Sequence, residues 1–344
     1  MFSDIAKERF KRFRAIKRAW FAFIILSGAF VLSLFSGEIA SDHPLILSYK
    51  GHYYFPTLKF YPDATFGGEY RTEADYVAMR APDSAFHKAG GWMLLPPIPN
   101  SPQHSYLDIA GNPPFPPSRD HWLGTDGSGR DILSRLIYGF RISMVFSLAL
   151  TAVGTIVGIV VGAIQGYAGG KVDITSQRLI EVWSSLPSLY VVILLGAIYG
   201  QGFAMLLVVL SLFQWIGLSY YMRGEFFKLR EQPYVLASRA LGASHFRILF
   251  RQMLPNAMTP VITMLPFSVV AGISSLTALD FLGFGLPPPT PSWGELIDEG
   301  LQNLQAPWLA GSAIAALFIT LMLATMIGEG IRDVLDPKSL TKLR

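Results

Sequence analysis

No cysteine occurs in the 344 residues. Disulfides, thiolate nucleophiles and cysteine-based metal sites are therefore excluded, and exposure to an oxidising compartment would leave no bridge as its mark. Charge is scarce as well: Asp, Glu, Lys and Arg make up 15% of the chain, where a soluble domain carries about 25%. The formal net charge of +4 is too mild to point to nucleic acid without a basic cluster on one face, so no nucleic-acid partner is assigned. The phosphate-binding pattern Gly-x-x-x-x-Gly-Lys-Ser/Thr is missing. Gly166-Tyr167-Ala168-Gly169-Gly170-Lys171 lacks both its spacing and its hydroxyl and reads as a turn. Five of the six histidines, at 43, 52, 87, 104 and 121, stand apart from one another without metal-ligand spacing and read as loop residues, solvated or hydrogen-bonded. No convergent acid, base or metal set emerges. Hence no catalytic, metal or cofactor-binding residue is assigned to this chain.

Apolar residues, 51% of the total, gather into runs without any charge. These are Ala19 to Gly37, Ile142 to Gly170, Val182 to Met222, Gln252 to Leu279 and Gly300 to Gly328. A bilayer core of ~30 Å takes ~20 helical residues. The 182–222 run would be about 62 Å long as one helix, twice what is needed. Gly200-Gln201-Gly202 near its middle divides it, and the count becomes six spans. The first span has the basic front of a secretion signal, and the small pair Ser36-Gly37 would permit cleavage. Its apolar part exceeds the usual ~7–15 residues, however, so it is read as a retained anchor.

Lys and Arg place the loops. Segment 1–18 holds seven of them, and 19 of the 28 fall in 1–18, 171–181, 223–251 and the stretch after Gly328. Loop 280–299 has none, but carries Asp280, Glu295, Asp298 and Glu299. Both ends are expected in the cytoplasm. The expected organisation is a basic N-terminus over 1–18, a first span over 19–37, an external insertion with an interfacial helix over 38–141, a core of five further spans over 142–330, and a tail over 331–344. Within the insertion, 42–117 is rich in Pro and aromatic residues, as in Tyr53-Tyr54-Phe55-Pro56 and Pro113-Pro114-Phe115-Pro116-Pro117. Pro opposes long helices and the aromatics oppose plain disorder, so an ordered, mostly irregular segment with some strand is expected.

Three motifs stand out. Gly154, Gly158, Gly162 and Gly166 form a four-residue ladder in the second span, the pattern of a close helix-packing seam. Val161 is placed on its lipid side. Next, His121-Trp122-Leu123-Gly124-Thr125-Asp126 and Gly129-Arg130-Asp131-Ile132-Leu133-Ser134-Arg135-Leu136 lead into that span. Asp126 could cap a helix there, and Ile132, Leu133, Leu136, Ile137 and Phe140 form an apolar stripe suited to the membrane surface. Finally, a short helix is expected after Pro233, with small residues at Ala237, Ser238 and Ala240 and a break at Gly242. A second amphipathic helix and Leu254-Pro255 then lead into the fifth span. A short helix of this kind suits insertion into a groove on another protein.

The 231–255 loop resembles the Glu-Ala-Ala loop of ABC importer permeases. Leu236-Ala237-Ser238 stands where Glu-Ala-Ala is expected, and Gly242 and Leu254-Pro255 match. The change of Glu to Leu removes the charge at that position, so no charged contact is assigned. The 121–136 segment, together with Leu279-Asp280-Phe281-Leu282-Gly283-Phe284-Gly285 and Ser292-Trp293-Gly294-Glu295, resembles the oligopeptide and dipeptide permeases. The resemblance implies an all-α polytopic subunit with six transmembrane helices in the type I ABC importer permease fold, carrying an irregular periplasmic insertion. It implies a place in the bacterial inner membrane, and import of peptides or peptide-like compounds such as microcin C. The implied partners are a second permease, an ABC ATPase that binds ATP and magnesium, a periplasmic solute-binding protein, the peptide and the lipid bilayer. The ATPase-coupling loop is then Leu236, Ala237, Ser238, Arg239, Ala240, Leu241, Gly242 and Ala243. A proton-coupled secondary transporter is the alternative. It would require an intramembrane carboxylate or histidine, whereas Glu181 and Asp280 border the spans.

Overall fold

The structure, a computed structural model, describes residues 4–335. Residues 1–3 of the basic segment and 336–344 of the expected tail lie outside the described residues. In chain order come α1 (Asp4–Ala15), α2 (Lys17–Leu34), α3 (Ser36–Ile39), β1 (Ile46–Tyr49), β2 (His52–Tyr54), α4 (Ala85–Lys88) and β3 (Trp92–Leu94). They are followed by α5 (Ile132–Ala168), α6 (Gly170–Ser184), α7 (Ser188–Tyr199), α8 (Phe203–Arg230), α9 (Pro233–Ala240) and α10 (His245–Arg247). A π-helical segment, Ile248–Met253, joins α10 to α11 (Leu254–Phe281), and α12 (Trp293–Gln302) and α13 (Pro307–Leu335) complete the order. Five helices are long and apolar enough to cross a membrane, and six if the pair α6–α7, bent by 68°, is one span.

The break between α7 and α8 falls at Gly200-Gln201-Gly202, with Gly200 at φ 83°. Three boundaries differ from the sequence reading. No break separates an interfacial helix from the second span at 141/142: α5 runs unbroken from Ile132, because no proline interrupts it. The 171–181 loop is helical and forms most of α6, and the third span is broken before Pro187, which precedes α7. A proline removes a backbone donor and disfavours helix in the residue before it. Asp126 does not cap α5. Asp131 does, its Oδ1 accepting from Ser134 N at 2.8 Å, while Asp126 accepts from Ser128 N and Arg130 N within its own turn.

The chain divides into two compact units. The first comprises residues up to Ser27, Ser143–Pro287 and the chain from Phe318 onward; the second comprises Gly28–Ile142 and Pro288–Leu317. Residues 288–317, read from sequence as part of the 142–330 core, thus group with the insertion.

In the second unit β1 is the central strand, antiparallel to both β2 and β3. Leu47 faces Tyr54 and Met93 in register. Leu47 and Tyr49 point to one side, as alternate strand residues must, into a core with Phe66, Ala74, Tyr76, Met79 and Phe86. Tyr49 meets Phe66 edge-on at 5.8 Å and stacks on Phe86. Aromatics thus supply in few residues the apolar area that a short irregular segment needs. Against the start of α5 lies α12, capped by Ser292 Oγ. The Trp293 indole donates to Leu136 O at 3.0 Å. Arg135, fully buried, reaches Glu295 at 2.6 Å, and Gly127 N donates to Glu299.

In the first unit, a core of Met222, Phe226, Val235, Ile248, Met253, Ala257 and Val261 joins α8, α9, the π-helical segment and α11.

Candidate functional site

The stretch from Pro233 to Met253 is built by its own sequence. Proline near the start of α9 suits its first turn, where the backbone N–H has no partner to lose. The helix ends where Gly242 adopts φ 76°. Ala243 N bonds to Ser238 O at 3.0 Å and Gly242 N to Arg239 O at 2.9 Å, the paired closure of a helix ending on a left-handed residue. Ser244 Oγ then accepts from Arg247 N and starts the next helix.

Only Val235 of α9 is fully buried, in the core with Ile248 and Met253. The opposite surface is open. Leu236, Ala237, Arg239 and Ala240 are exposed, Leu241 is 87% exposed, and Phe246 is 71% exposed. Ser238 is half-buried, as is Ala243, which packs on the core. The eight sequence-chosen residues therefore split into an outward set centred on Leu241 and a supporting pair, Ser238 and Ala243. Phe246 and Phe250 belong with the outward set. They fall in the second amphipathic helix expected from the sequence, between the matched Gly242 and Leu254-Pro255, and their spacing of four puts them on one helix face.

The turn is held to the end of α5. Tyr167 Oη lies 2.6 Å from His245 Nδ1, and the Arg239 guanidinium sits over the Tyr167 ring at 4.8 Å.

The glycine ladder faces α8. A Cβ on Gly154 would stand 2.7 Å from Gln214 Cγ, on Gly158 2.9 Å from Trp215 O, on Gly162 2.5 Å from Ser219 O, and on Gly166 2.5 Å from Arg223 O. These are backbone and side-chain-root contacts, closer than any real Cβ adopts. The partner numbers rise along with the glycine numbers, so α5 and α8 run parallel. For two spans to run parallel the chain must cross back between them, and α6 and α7 are the helices that lie between α5 and α8. Val161 is half-buried rather than outward; the open side of the helix is at Ile156, Val160 and Ile164.

A groove of about 750 Å³ runs along α8, α11 and α13, lined by Tyr221, Glu225, Asn256, Thr259, Thr263 and Arg332 among others. Asn256, Thr259 and Thr263 share one side of α11 there, and Glu225 and Arg332 stand near the C-terminal ends of α8 and α13.

Residues 154–340 match the family described as binding-protein-dependent transport system inner membrane component. The inner membrane ABC transporter permease protein YejE of Escherichia coli K12 is 44% identical, over 97% of this chain and 98% of its own length. The peptidoglycan transport system permease protein YejE of Agrobacterium fabrum C58 is 41% identical, over 98% and 94%. The dipeptide transport system permease protein DppC of Bacillus subtilis 168 is 38% identical over 65% of this chain and 71% of its own. The match spans more than half of the chain and takes in both the glycine ladder and the 233–253 surface; the chain belongs to the inner membrane components of binding-protein-dependent transport systems, as a multi-pass ABC transporter permease.

Proposed function

We propose that this chain is the permease subunit of an ATP-driven importer of peptides or peptide-like compounds, microcin C among them, and forms half of the translocation path. Relatives named for dipeptide and for peptidoglycan transport support the substrate class, since peptidoglycan fragments carry peptide stems. The proton-coupled alternative draws no support from these relatives. Partners of the YejB, YejF and YejA kinds would supply the second permease, the ATPase and the periplasmic binding protein. ATP and magnesium would bind to the ATPase. The chain itself would perform no chemistry, and both its ends would lie in the cytoplasm. The polar groove on α8, α11 and α13 would be this subunit's side of the path.

The observation that carries the coupling mechanism is the open apolar surface of α9 and its turn. Leu241 at 87% exposure is costly to leave in water and suits a groove on the ATPase. A push there acts on α8 through the two-residue link to α9, on α11 through the π-helical segment, and on α5 through Tyr167.

The absence of cysteine allows a direct test. Leu241→Cys, paired with single thiols on the ATPase, should form a cross-link in the assembled transporter. Leu241→Glu should leave the chain inserted while separating ATP hydrolysis from uptake. A thiol at 241 that never cross-links to the ATPase, and is instead labelled by an impermeant reagent from the periplasm, refutes both the orientation and the coupling surface.

A further inference from the structure

The second unit contains a cavity of about 460 Å³ that packing does not fill. Asn100, Tyr106, His121 and Asp131 reach it and are buried. The carboxylate among them is already engaged: Asp131 Oδ2 holds His121 Nδ1 at 2.9 Å, and its Oδ1 caps α5. Arg80 in the wall is in a different state. It is half-buried, with Nη1 donating to Pro99 O at 2.8 Å and Nη2 to Asp42 O at 2.9 Å. Both acceptors are neutral carbonyls. Its Nε has no partner, and among the described residues no carboxylate forms an ion pair with it. A guanidinium taken partly out of water without an anion is an incomplete arrangement. Burial lowers its pKa, with Tyr106, Asp42 and Asp75 pulling the other way. At the exposed edge stand Asp108, Arg119, Asp120 and Trp122. Val77, Ile98 and Leu133 give the walls an apolar part.

The volume lies in the range of small-molecule sites, ~300–1,000 Å³, with apolar walls and a few polar groups fixing orientation. A half-buried cation inside and two carboxylates against one cation, Arg119, at the rim leave a net negative edge, which matches a molecule carrying both charges, separated by a short apolar or amide stretch.

We infer that this cavity is a binding site, on the permease itself, for a short peptide with free ends, its carboxylate directed to Arg80 and its ammonium to Asp108 and Asp120. The inference deepens the peptide-import reading and rests on it. The site would hold peptide on the external unit in addition to whatever the binding protein carries.

The test uses the full chain with its co-purifying subunits in lipid nanodiscs, the binding protein omitted. Radiolabelled trialanine, trialanine amide and N-acetyl-trialanine are compared by equilibrium dialysis. Trialanine should bind saturably. The amide should bind about tenfold more weakly or worse, as expected for losing a charge-assisted bond, and the N-acetyl form should lose less, because its partners lie in water. Arg80→Lys should weaken trialanine binding while preserving the acid-over-amide preference, and Arg80→Gln should abolish that preference. The ligand series needs no substitution, so it decides the matter even if an Arg80 variant fails to fold. Absence of saturable binding, or equal binding of acid and amide, overturns the inference. Peptide uptake by the complete transporter is measured in parallel. Normal uptake without binding removes the cavity site and leaves the import reading intact; binding without uptake supports the cavity site and removes the import reading.

Discussion

Arg223 of α8 forks onto Asp173 of α6, with Nη2 2.7 Å from Oδ2 and Nε directed at Oδ1. Asp173 is almost fully buried, while Arg223 keeps a third of its side chain exposed and also lies over the Phe227 ring at 4.9 Å. The pair fastens the broken third span to the fourth. A two-pronged contact of this kind has a planar geometry that lysine does not reproduce.

Asp173→Ala should therefore destabilise the subunit by about 1–3 kcal/mol, the partial exposure of Arg223 lowering the figure from that of a wholly buried pair. Arg223→Lys should cost less but still measurably, because the fork is lost and the charge kept. Thermal unfolding in detergent compares the two. Equal stability of both variants and the parent chain would show that the fork contributes nothing.

The seam between α5 and α8 has no room for a methyl group at Gly162, where Ser219 O and Met222 Cβ stand 2.5 and 2.6 Å from the Cβ position. Gly162→Ala should cost about 1–3 kcal/mol through forced displacement of backbone. Val160→Leu, at a position 43% exposed, should be nearly neutral. Melting temperatures of the two variants check the contrast, and a harmless Gly162→Ala would contradict the close approach.

Glu299 should make the second unit sensitive to pH. Burial, with Asp126's charge second, raises its carboxyl above the ordinary 4.5. The folded chain thus keeps this proton to a higher pH than the unfolded chain does. The stability it contributes is full below 4.5 and is lost as pH rises through the raised value. Glu299→Gln keeps an acceptor for Gly127 N and removes the charge. The variant should melt higher than the parent at pH 7, with the gap closing as pH approaches 4.5. A gap that widens on acidification would reverse the sign assigned here.

Long uncharged runs made the spans legible, and the double glycine at 200 and 202 marked the one turn that composition alone could find. The limits of the helices were less so. Arg223 ends an uncharged run and so reads as loop, yet α8 continues seven residues beyond it to Arg230, because the fork to Asp173 satisfies the charge within the helix. Leu241 and Gly242 were legible because a left-handed closure needs glycine, whereas the amphipathic pattern between Gly242 and Leu254 marked a helix without telling which of its apolar residues, Phe246 and Phe250, stay exposed. The cavity at Arg80 left no trace in the sequence. Its parts come from positions 80, 100, 106, 121 and 131, and only the tertiary fold of a proline-rich segment brings them together.

The parallel course of α5 and α8 has a mechanical meaning. From Gly154 to Gly166 the two backbones touch over about 18 Å, counted at ~1.5 Å per residue, with side-chain bulk excluded from the gap. Two rods joined at four successive points resist bending far more than either alone, and neither can slip past the other without lifting out of contact. The pair is a strut. Under the proposed coupling, force delivered at the Leu241 turn would reach one end of it through the link that follows Arg230 and through Tyr167, and a stiff pair would pass it on as tilt more than as flexing.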